Sequence, residues 1–191
     1  YALIKQRILE KHNVNIEQMD CDLENEESRQ YLIDKVNGYD KDLNIIINNA
    51  AFVGESDLKG WITDFEDQDI DTWRRALEVN LTAIFHLSKG LAKKLKNSKS
   101  SSIINMSSIY GMVGPDLSLY EETEMGNPAA YSASKGGLIQ LTRWLATTIA
   151  PDIRVNCISP GGVWRNQPDE FVKRYEAKTP LRRMATEEDL K

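Results

Sequence analysis

The sequence predicts an α/β fold with a parallel sheet, and three features indicate it. Short apolar runs, each ending in Asn, Ser, Gly or Pro, are typical of strands that are buried on both faces of a sheet. The longer segments between them have the helical period of 3.6 residues, and this alternation of strand and helix implies parallel pairing. The 191 residues, 41% of them hydrophobic, suffice for one domain with a buried core, and no linker or internal repeat divides them.

The predicted elements follow in order along the chain. Strands are expected, with the first range as the weakest candidate, at residues 15–22, 43–51, 102–108 and 153–160. Helices are expected, the last with a Pro-Asp-Glu start, at residues 71–96, 128–150 and 168–178. In a fold of this class the functional residues lie at the carboxyl ends of the strands.

Charge and the content of cysteine and histidine exclude several functions. With 24 basic against 29 acidic residues the net charge is -5 at pH 7, so we expect no nucleic-acid partner. No run approaches the roughly 18 apolar residues of a membrane span and no signal peptide opens the chain, so we expect a cytoplasmic protein without a membrane partner. Two cysteines and two histidines, far apart in the sequence, predict neither a disulfide framework nor a metal site.

A tyrosine and a lysine four residues apart, Tyr131 and Lys135, are the candidate pair for proton transfer. At this spacing both side chains lie on one face of a helix. A positive charge beside a phenol stabilises its phenolate form, so the pair can donate and accept the proton of a carbonyl/alcohol interconversion. The same spacing occurs twice more in charged helical segments, where a solvated face is the simpler interpretation.

Polar residues near this pair give it a context. The predicted strand at residues 102–108 ends in Ser107 and Ser108, and a hydroxyl at a strand's carboxyl end can hydrogen-bond a developing oxyanion. Strand register decides between the two, and we favour Ser108. Asn80 interrupts an apolar helix, where an amide needs hydrogen-bond partners, so it is either functional or a satisfied buried amide.

Five motifs occur in a fixed order over most of residues 19–184. They are Asn48-Asn49-Ala50, Val79-Asn80, the strand ending in Ser108, Tyr131-x-x-x-Lys135, and Pro160-Gly161-Gly162-Val163. In this order they resemble the short-chain dehydrogenase/reductase family. The resemblance implies a Rossmann-type doubly wound parallel sheet, and residues 1–191 as a single dinucleotide-binding domain that lacks its first strands and last strand.

The resemblance also implies roles for the site residues. Tyr131 would be the general acid/base, and Lys135 would stabilise its phenolate and hold the nicotinamide ribose. Ser108 would polarise the substrate carbonyl, and Asn80 would anchor a water of a proton relay. The cofactor, NAD or NADP, would also lie against Asp22, Leu23, Asn49, Ala50, Ala51, Pro160, Gly161 and Val163.

Three departures from the family pattern stand out. No Gly-x-x-x-Gly-x-Gly turn follows a predicted strand. We therefore expect that these residues do not fold alone, and that the sequence either omits flexible ends or is a fragment. Ala51 stands where the family usually has glycine, which adds a methyl group near the cofactor. The segment at residues 114–130, between Ser108 and Tyr131, is longer than is usual and borders the expected substrate cleft.

The long segment bears on the substrate. Its acidic residues beside Tyr120 and Met125 suit a polyol or an amino-sugar, although a solvated loop explains them as well. They are Asp116, Glu121, Glu122 and Glu124. The sequence also resembles a subgroup from surface-polysaccharide and flagellin-modification pathways, which suggests a sugar, and Arg165, Arg182 and Arg183 would meet a phosphate or serve the surface.

Two other functions stay open. One is a 3-oxoacyl carrier-protein reductase. The acidic lip that residues 114–130 would form at the substrate cleft disfavours it, because carrier proteins are themselves acidic. The other is a non-catalytic nucleotide-sensing or scaffolding protein on the same fold. The helices at residues 71–96 and 128–150 are those that the family uses for subunit pairing, so the resemblance implies a homodimer or homotetramer.

Overall fold

A computed structural model describes residues 2–53 and 58–191, and it contains a parallel sheet with flanking helices. The strands are β1 (Ile45–Asn48), β2 (Ser101–Met106) and β3 (Ile153–Ile158). The α-helices are α1 (Ala2–His12), α2 (Glu26–Asn37), α3 (Ile70–Leu77), α4 (Ala83–Lys96), α5 (Ala129–Thr148) and α6 (Asp169–Lys178). A π-helical turn (Glu78–Thr82) joins α3 to α4, and 3-10 turns lie at Phe65–Asp67, Ile109–Gly111, Leu117–Leu119 and Glu187–Leu190. The predicted fold class is confirmed.

The strand register places the functional edge of the sheet. The order is β1-β2-β3, and both pairs are parallel. Asn48 pairs with Asn105, and Met106 pairs with Ile158, so the three carboxyl ends lie side by side. The segments that follow the three strands therefore meet at one edge, as the fold class requires.

The core forms where α4 and α5 pack on the sheet. Its fully buried members come from different elements, so the helices and strands depend on one another for burial. They are Leu95, Ile103, Leu145, Ile153 and Val155. Burying an aliphatic side chain of this size contributes about 1.5–3 kcal/mol relative to leaving it exposed.

Two strand predictions were wrong. Residues 15–22 form no strand, because no strand of the described residues lies beside them to complete a ladder. In β1 the expectation of burial on both faces fails, since Ile45 and Ile47 are 56% and 60% exposed. Within the described residues β1 is an edge strand, and one of its faces has no helix over it.

The helix predictions need one correction. The segment expected as one helix at residues 71–96 is interrupted by the π-helical turn, which contains Asn80. A π turn displaces side chains from the period of 3.6 residues, and such turns are frequent at functional sites. Across residues 2–53 and 58–191, no helix is long and apolar enough to cross a bilayer.

Candidate active site

The turn after β2 packs against the start of α5. Gly111 approaches Lys135 so closely that a Cβ built on Gly111 would lie 2.7 Å from the backbone carbon and oxygen of Lys135. This contact brings the segment that carries Ser108 against the helix that carries Tyr131 and Lys135. Residues distant in sequence thus share the carboxyl edge of the sheet.

Tyr131 and Lys135 lie one turn apart on α5, as predicted. The Lys135 ammonium is 5.7 Å from the centroid of the Tyr131 ring, and its Nζ donates to the backbone oxygen of Met106 (2.9 Å). Lys135 is only 3% exposed, and burial lowers the pKa of its amine because a charged group loses hydration there. The Lys135 ammonium is buried, is held by the Met106 carbonyl and lies near the Tyr131 ring. A cation in this position can stabilise the phenolate form of the tyrosine.

The two serines after β2 have different partners. Ser107 Oγ donates to the backbone oxygen of Lys135 (2.9 Å), so its hydrogen is used to hold α5. Ser108 Oγ accepts from the Tyr110 N–H (3.2 Å), which leaves the hydroxyl hydrogen of Ser108 to be donated elsewhere. This difference supports Ser108 as the residue that meets a substrate oxygen.

Asn80 is fully buried and its side chain has a complete set of partners. Its Oδ1 accepts from the Phe52 N–H (2.7 Å), and its Nδ2 donates to the Phe52 oxygen (3.2 Å) and to Ser134 Oγ (3.0 Å). The amide therefore ties the segment after β1 to α5. These bonds give Asn80 a structural role, and its role as the anchor of a proton-relay water stays a prediction.

The cofactor candidates after β1 and β3 lie at the same edge. Asn49 and Ala50 follow β1 and are exposed, with Ala51 half-buried beyond them. After β3, the Pro160 oxygen accepts from the Ile109 N–H (3.0 Å), which holds this loop to the turn after β2.

The rest of the loop after β3 is anchored to α6. The Gly162 N–H donates to Tyr175 Oη (2.6 Å), and a Cβ on Gly161 would lie 2.6 Å from that oxygen. Val163 forms an isolated parallel bridge with Ala185. A methyl group at 161 or 162 would force the Tyr175 or Met184 side chain to shift, so this packing favours the Gly-Gly pair.

Asp22 and Leu23 lie in a turn before α2. Asp22 Oδ1 accepts from the Glu24 N–H (2.9 Å), and Arg29, which is buried, donates to the Leu23 oxygen. The turn is joined to the edge of the sheet through Arg75, which pairs with Glu24 (2.9 Å) and lies over the Phe52 ring. The turn-capping alternative for Asp22 is thus present in the structure.

A cleft of about 190 Å³ opens beside Tyr131. A larger cavity of about 580 Å³ adjoins it and shares six of its lining residues. The smaller cleft is lined by Val53, Trp61, Ile62, Tyr110, Tyr120, Gly126, Asn127, Pro128 and Tyr131. Sequence reasoning did not identify Trp61, Ile62 or Asn127. Asn127 lies four residues before Tyr131, just ahead of α5.

The acidic segment is partly neutralised by α6. Asp116 accepts from Lys178, and Glu122 pairs with Arg174 (3.2 Å). The expected acidic lip therefore presents fewer free carboxylates than its composition suggests. Glu121 lies on the wall of the larger cavity.

The three arginines considered for a phosphate have protein partners. Arg183 binds both carboxylate oxygens of Asp189 (2.7 and 2.8 Å), and Arg165 pairs with Glu187 (3.0 Å). Arg182 donates to the Ala177 oxygen. None of the three lines the cleft beside Tyr131, and neither does Trp164. Among the described residues no cluster of His, Cys, Asp and Glu could hold a metal ion.

The fold and the site together define an α/β protein with a tyrosine–lysine pair at the carboxyl edge of a parallel sheet. Residues 4–191 match the family model described as Enoyl-(Acyl carrier protein) reductase. A curated relative, the trans-4-hydroxycyclohexanecarboxylate dehydrogenase of Sinomonas cyclohexanicum, is 34% identical over 149 residues, which are 78% of this chain and 50% of that protein. This chain belongs to the short-chain dehydrogenase/reductase family, which confirms the resemblance.

Solved structures agree with this assignment. A short chain dehydrogenase from Leptospira borgpetersenii with bound NAD+ has a TM-score of 0.80 and 33% identity, over 94% of this chain and 67% of that one. A Beutenbergia cavernae protein described as an NAD(P) dependent gluconate 5-dehydrogenase, with bound NADP, has a TM-score of 0.81 and 25% identity, over 98% and 71%. This chain spans half the length of the Sinomonas relative.

A substitution tests the contact between the turn and the helix. We expect Gly111→Ala to lower the thermal midpoint, because its methyl group would force the Lys135 backbone away at a cost of about 1–3 kcal/mol. Gly114→Ala is the matched control, since nothing lies within 4 Å of a Cβ there. Equal midpoints for the two variants, measured by calorimetry, would contradict the close packing.

Proposed function

We propose that this protein is an NAD(P)-dependent oxidoreductase that interconverts a carbonyl and a secondary alcohol, with Tyr131 as general acid/base. The observation that carries the proposal is the Tyr131–Lys135 pair beside a cleft, with the lysine buried and directed toward the end of β2. The family supports the reaction class. Ser108, Tyr131 and Lys135 are present together, which argues against a scaffold, since a scaffold needs no such set.

The residues at the sheet edge fit a dinucleotide. Asn49 and Ala50 are exposed and small, and the loop at residues 160–163 is held at the same edge of the sheet by the turn after β2. When bound, the nicotinamide supplies or accepts the hydride. Lys135, Ala51, Asp22 and Leu23 complete the proposed contacts. One similar solved structure contains NAD+ and another contains NADP, so the proposal includes both cofactors.

The chain's own residues handle the proton and the developing charge. Ser108 donates its free hydroxyl hydrogen to the carbonyl oxygen, and Tyr131 Oη delivers a proton to that oxygen as it becomes an alcohol. Lys135 stabilises the phenolate that remains, which it does best while charged. Asn80 holds the segment after β1 against α5, so that these groups lie close together.

We propose a polar, sugar-type substrate. Hydroxyl and amide groups line the walls of the two cavities and can bind hydroxyl groups of a polyol. They come from Thr63, Gln68, Tyr110, Tyr120, Asn127 and Ser132. The resemblance to surface-polysaccharide and flagellin-modification proteins points the same way. The competing candidate is a 3-oxoacyl carrier-protein reductase, which is supported by two curated relatives of that name, 31% and 25% identical to this chain.

A fluorescence titration with NADH and, separately, NADPH tests the proposal. Micromolar binding of either is expected and identifies the cofactor, whereas binding of neither would contradict an oxidoreductase. Reduction of an acetoacetyl thioester, with no activity on sugars or polyols, would favour the carrier-protein reductase instead.

We also propose a homodimer or homotetramer. Phe85 on α4 and Trp144 on α5 are 44% and 53% exposed, which gives both helices apolar surface for a second copy. A monomer by light scattering would contradict this proposal.

A further inference from the structure

The hydroxyl groups of two tyrosines meet on the wall of the Tyr131 cleft. Tyr110 Oη and Tyr120 Oη lie 2.6 Å apart, and both residues line the cleft together with Tyr131. One hydroxyl hydrogen is used between them, so the pair retains one hydrogen that it can donate. Burial raises the pKa of Tyr110 and of Tyr120, which keeps both phenols protonated at neutral pH.

Asn127 lies beside this hydrogen-bond pair on the wall of the cleft. Its Oδ1 accepts from Ser132 Oγ (2.9 Å), and its amide nitrogen is buried without a partner among the described residues. Either tyrosine hydroxyl could be the donor in the bond between them, so the hydrogen left over belongs to the pair.

The charge of the walls restricts what can accept this hydrogen. The described residues that line the cleft include no lysine or arginine, and the adjoining cavity carries Asp64 and Glu121. A carboxylate or phosphate would therefore lose hydration in the cleft without gaining a cation. A hydroxyl, carbonyl or ether oxygen meets no such penalty.

We propose that the hydroxyl pair of Tyr110 and Tyr120 determines specificity by donating a hydrogen bond to a second, uncharged oxygen of the substrate. The substrate class is then an alcohol or ketone with a further neutral oxygen group, as in a polyol. This inference rests on the proposed function and names the group that distinguishes its substrates.

Tyr110→Phe tests the inference because it removes one hydroxyl and keeps the ring. The probes are cyclohexanol and the 1,2-, 1,3- and 1,4-cyclohexanediols, which differ only in the second hydroxyl. We expect the wild type to favour at least one diol over cyclohexanol by about tenfold in kcat/KM, and the variant to lose most of that ratio. A merely structural role for Tyr110 would lower both rates together and leave the ratio unchanged.

Further variants sharpen the comparison. Tyr120→Phe removes the other hydroxyl of the pair, and we expect it to reduce the diol preference as well. Tyr31→Phe, on the exposed face of α2, is the control and should leave the ratio at the wild-type value. Retention of the preference by Tyr110→Phe, or its absence from the wild type, would overturn the inference. So would a higher kcat/KM for trans-4-hydroxycyclohexanecarboxylate than for every diol.

Binding separates failure of this inference from failure of the proposed function. If the wild type oxidises none of these alcohols, the proposed function fails for this class of substrate. Saturation-transfer NMR with the same probes then measures whether Tyr110 contributes to their binding. Binding of a diol that is stronger than that of cyclohexanol and is weakened by Tyr110→Phe would support the recognition site. Equal binding by both proteins would overturn it.

Discussion

Replacing Tyr131 with phenylalanine is expected to lower kcat by a factor of about 100 to 10,000 while the affinity for the reduced cofactor stays near the wild-type value. The large loss follows because the phenol transfers the proton in the proposed mechanism, and general acid–base catalysis contributes about that factor. The aromatic ring remains, so the packing of Tyr131 against Trp61 and Ala76 is kept. Steady-state rates and a fluorescence titration of the cofactor measure the two quantities separately.

The chain offers a matched control for this experiment. Tyr31 and Lys35 have the same spacing on α2, and the Lys35 ammonium is 5.5 Å from the Tyr31 ring, close to the 5.7 Å of the catalytic pair. Tyr31 is 60% exposed, and it lines neither cavity beside Tyr131. Tyr31→Phe should therefore keep full turnover. If Tyr131→Phe also keeps it, the proposed mechanism is wrong.

Truncating Ile103 to alanine is expected to lower the free energy of unfolding by about 3 kcal/mol. Ile103 is fully buried in the central strand and packs with Leu95, Leu145, Ile153 and Val155 between the sheet and two helices. Removing its side chain forfeits transfer free energy and leaves a cavity at the centre of the core. In a chain of this size the loss corresponds to a fall of roughly 6–12 °C in the melting temperature.

Ile47→Ala is the control for this stability measurement. Ile47 lies on the neighbouring strand β1, but 60% of its surface is exposed, so its truncation should cost less than about 1 kcal/mol. Urea titrations of the two variants give the comparison under identical conditions. A loss at Ile47 as large as that at Ile103 would contradict the difference in burial on which the prediction rests.

The sequence determined the class of fold and the chemical centre of the proposed site. Three apolar runs and the helices between them identified β1, β2, β3, α5 and α6, because a strand buried in a parallel sheet and a helix with one apolar face leave different periods in the chain. Tyr131 and Lys135 could be paired for the same reason, since their spacing is local and a helix turns it into proximity. Signals of this kind depend only on neighbouring residues.

Other features depended on contacts between distant segments. The bond between Ser107 and the Lys135 backbone supports the preference for Ser108 that the sequence suggested, and the partners of Asn80 lie after β1 and on α5. Neither set of bonds could be read from local spacing, because a buried polar group is satisfied by whatever the fold brings to it.

The tertiary structure also decided what covers each surface. An isoleucine-rich run predicts burial, yet Ile47 is exposed because no helix covers that face of β1 within the described residues. The acidic segment predicted a lip of free carboxylates, yet Asp116 and Glu122 are paired with α6. The composition of a segment indicates its hydrophobicity and charge, but not which other elements pack against it. Those elements come from elsewhere in the chain, so only the folded structure shows which residues are covered or paired.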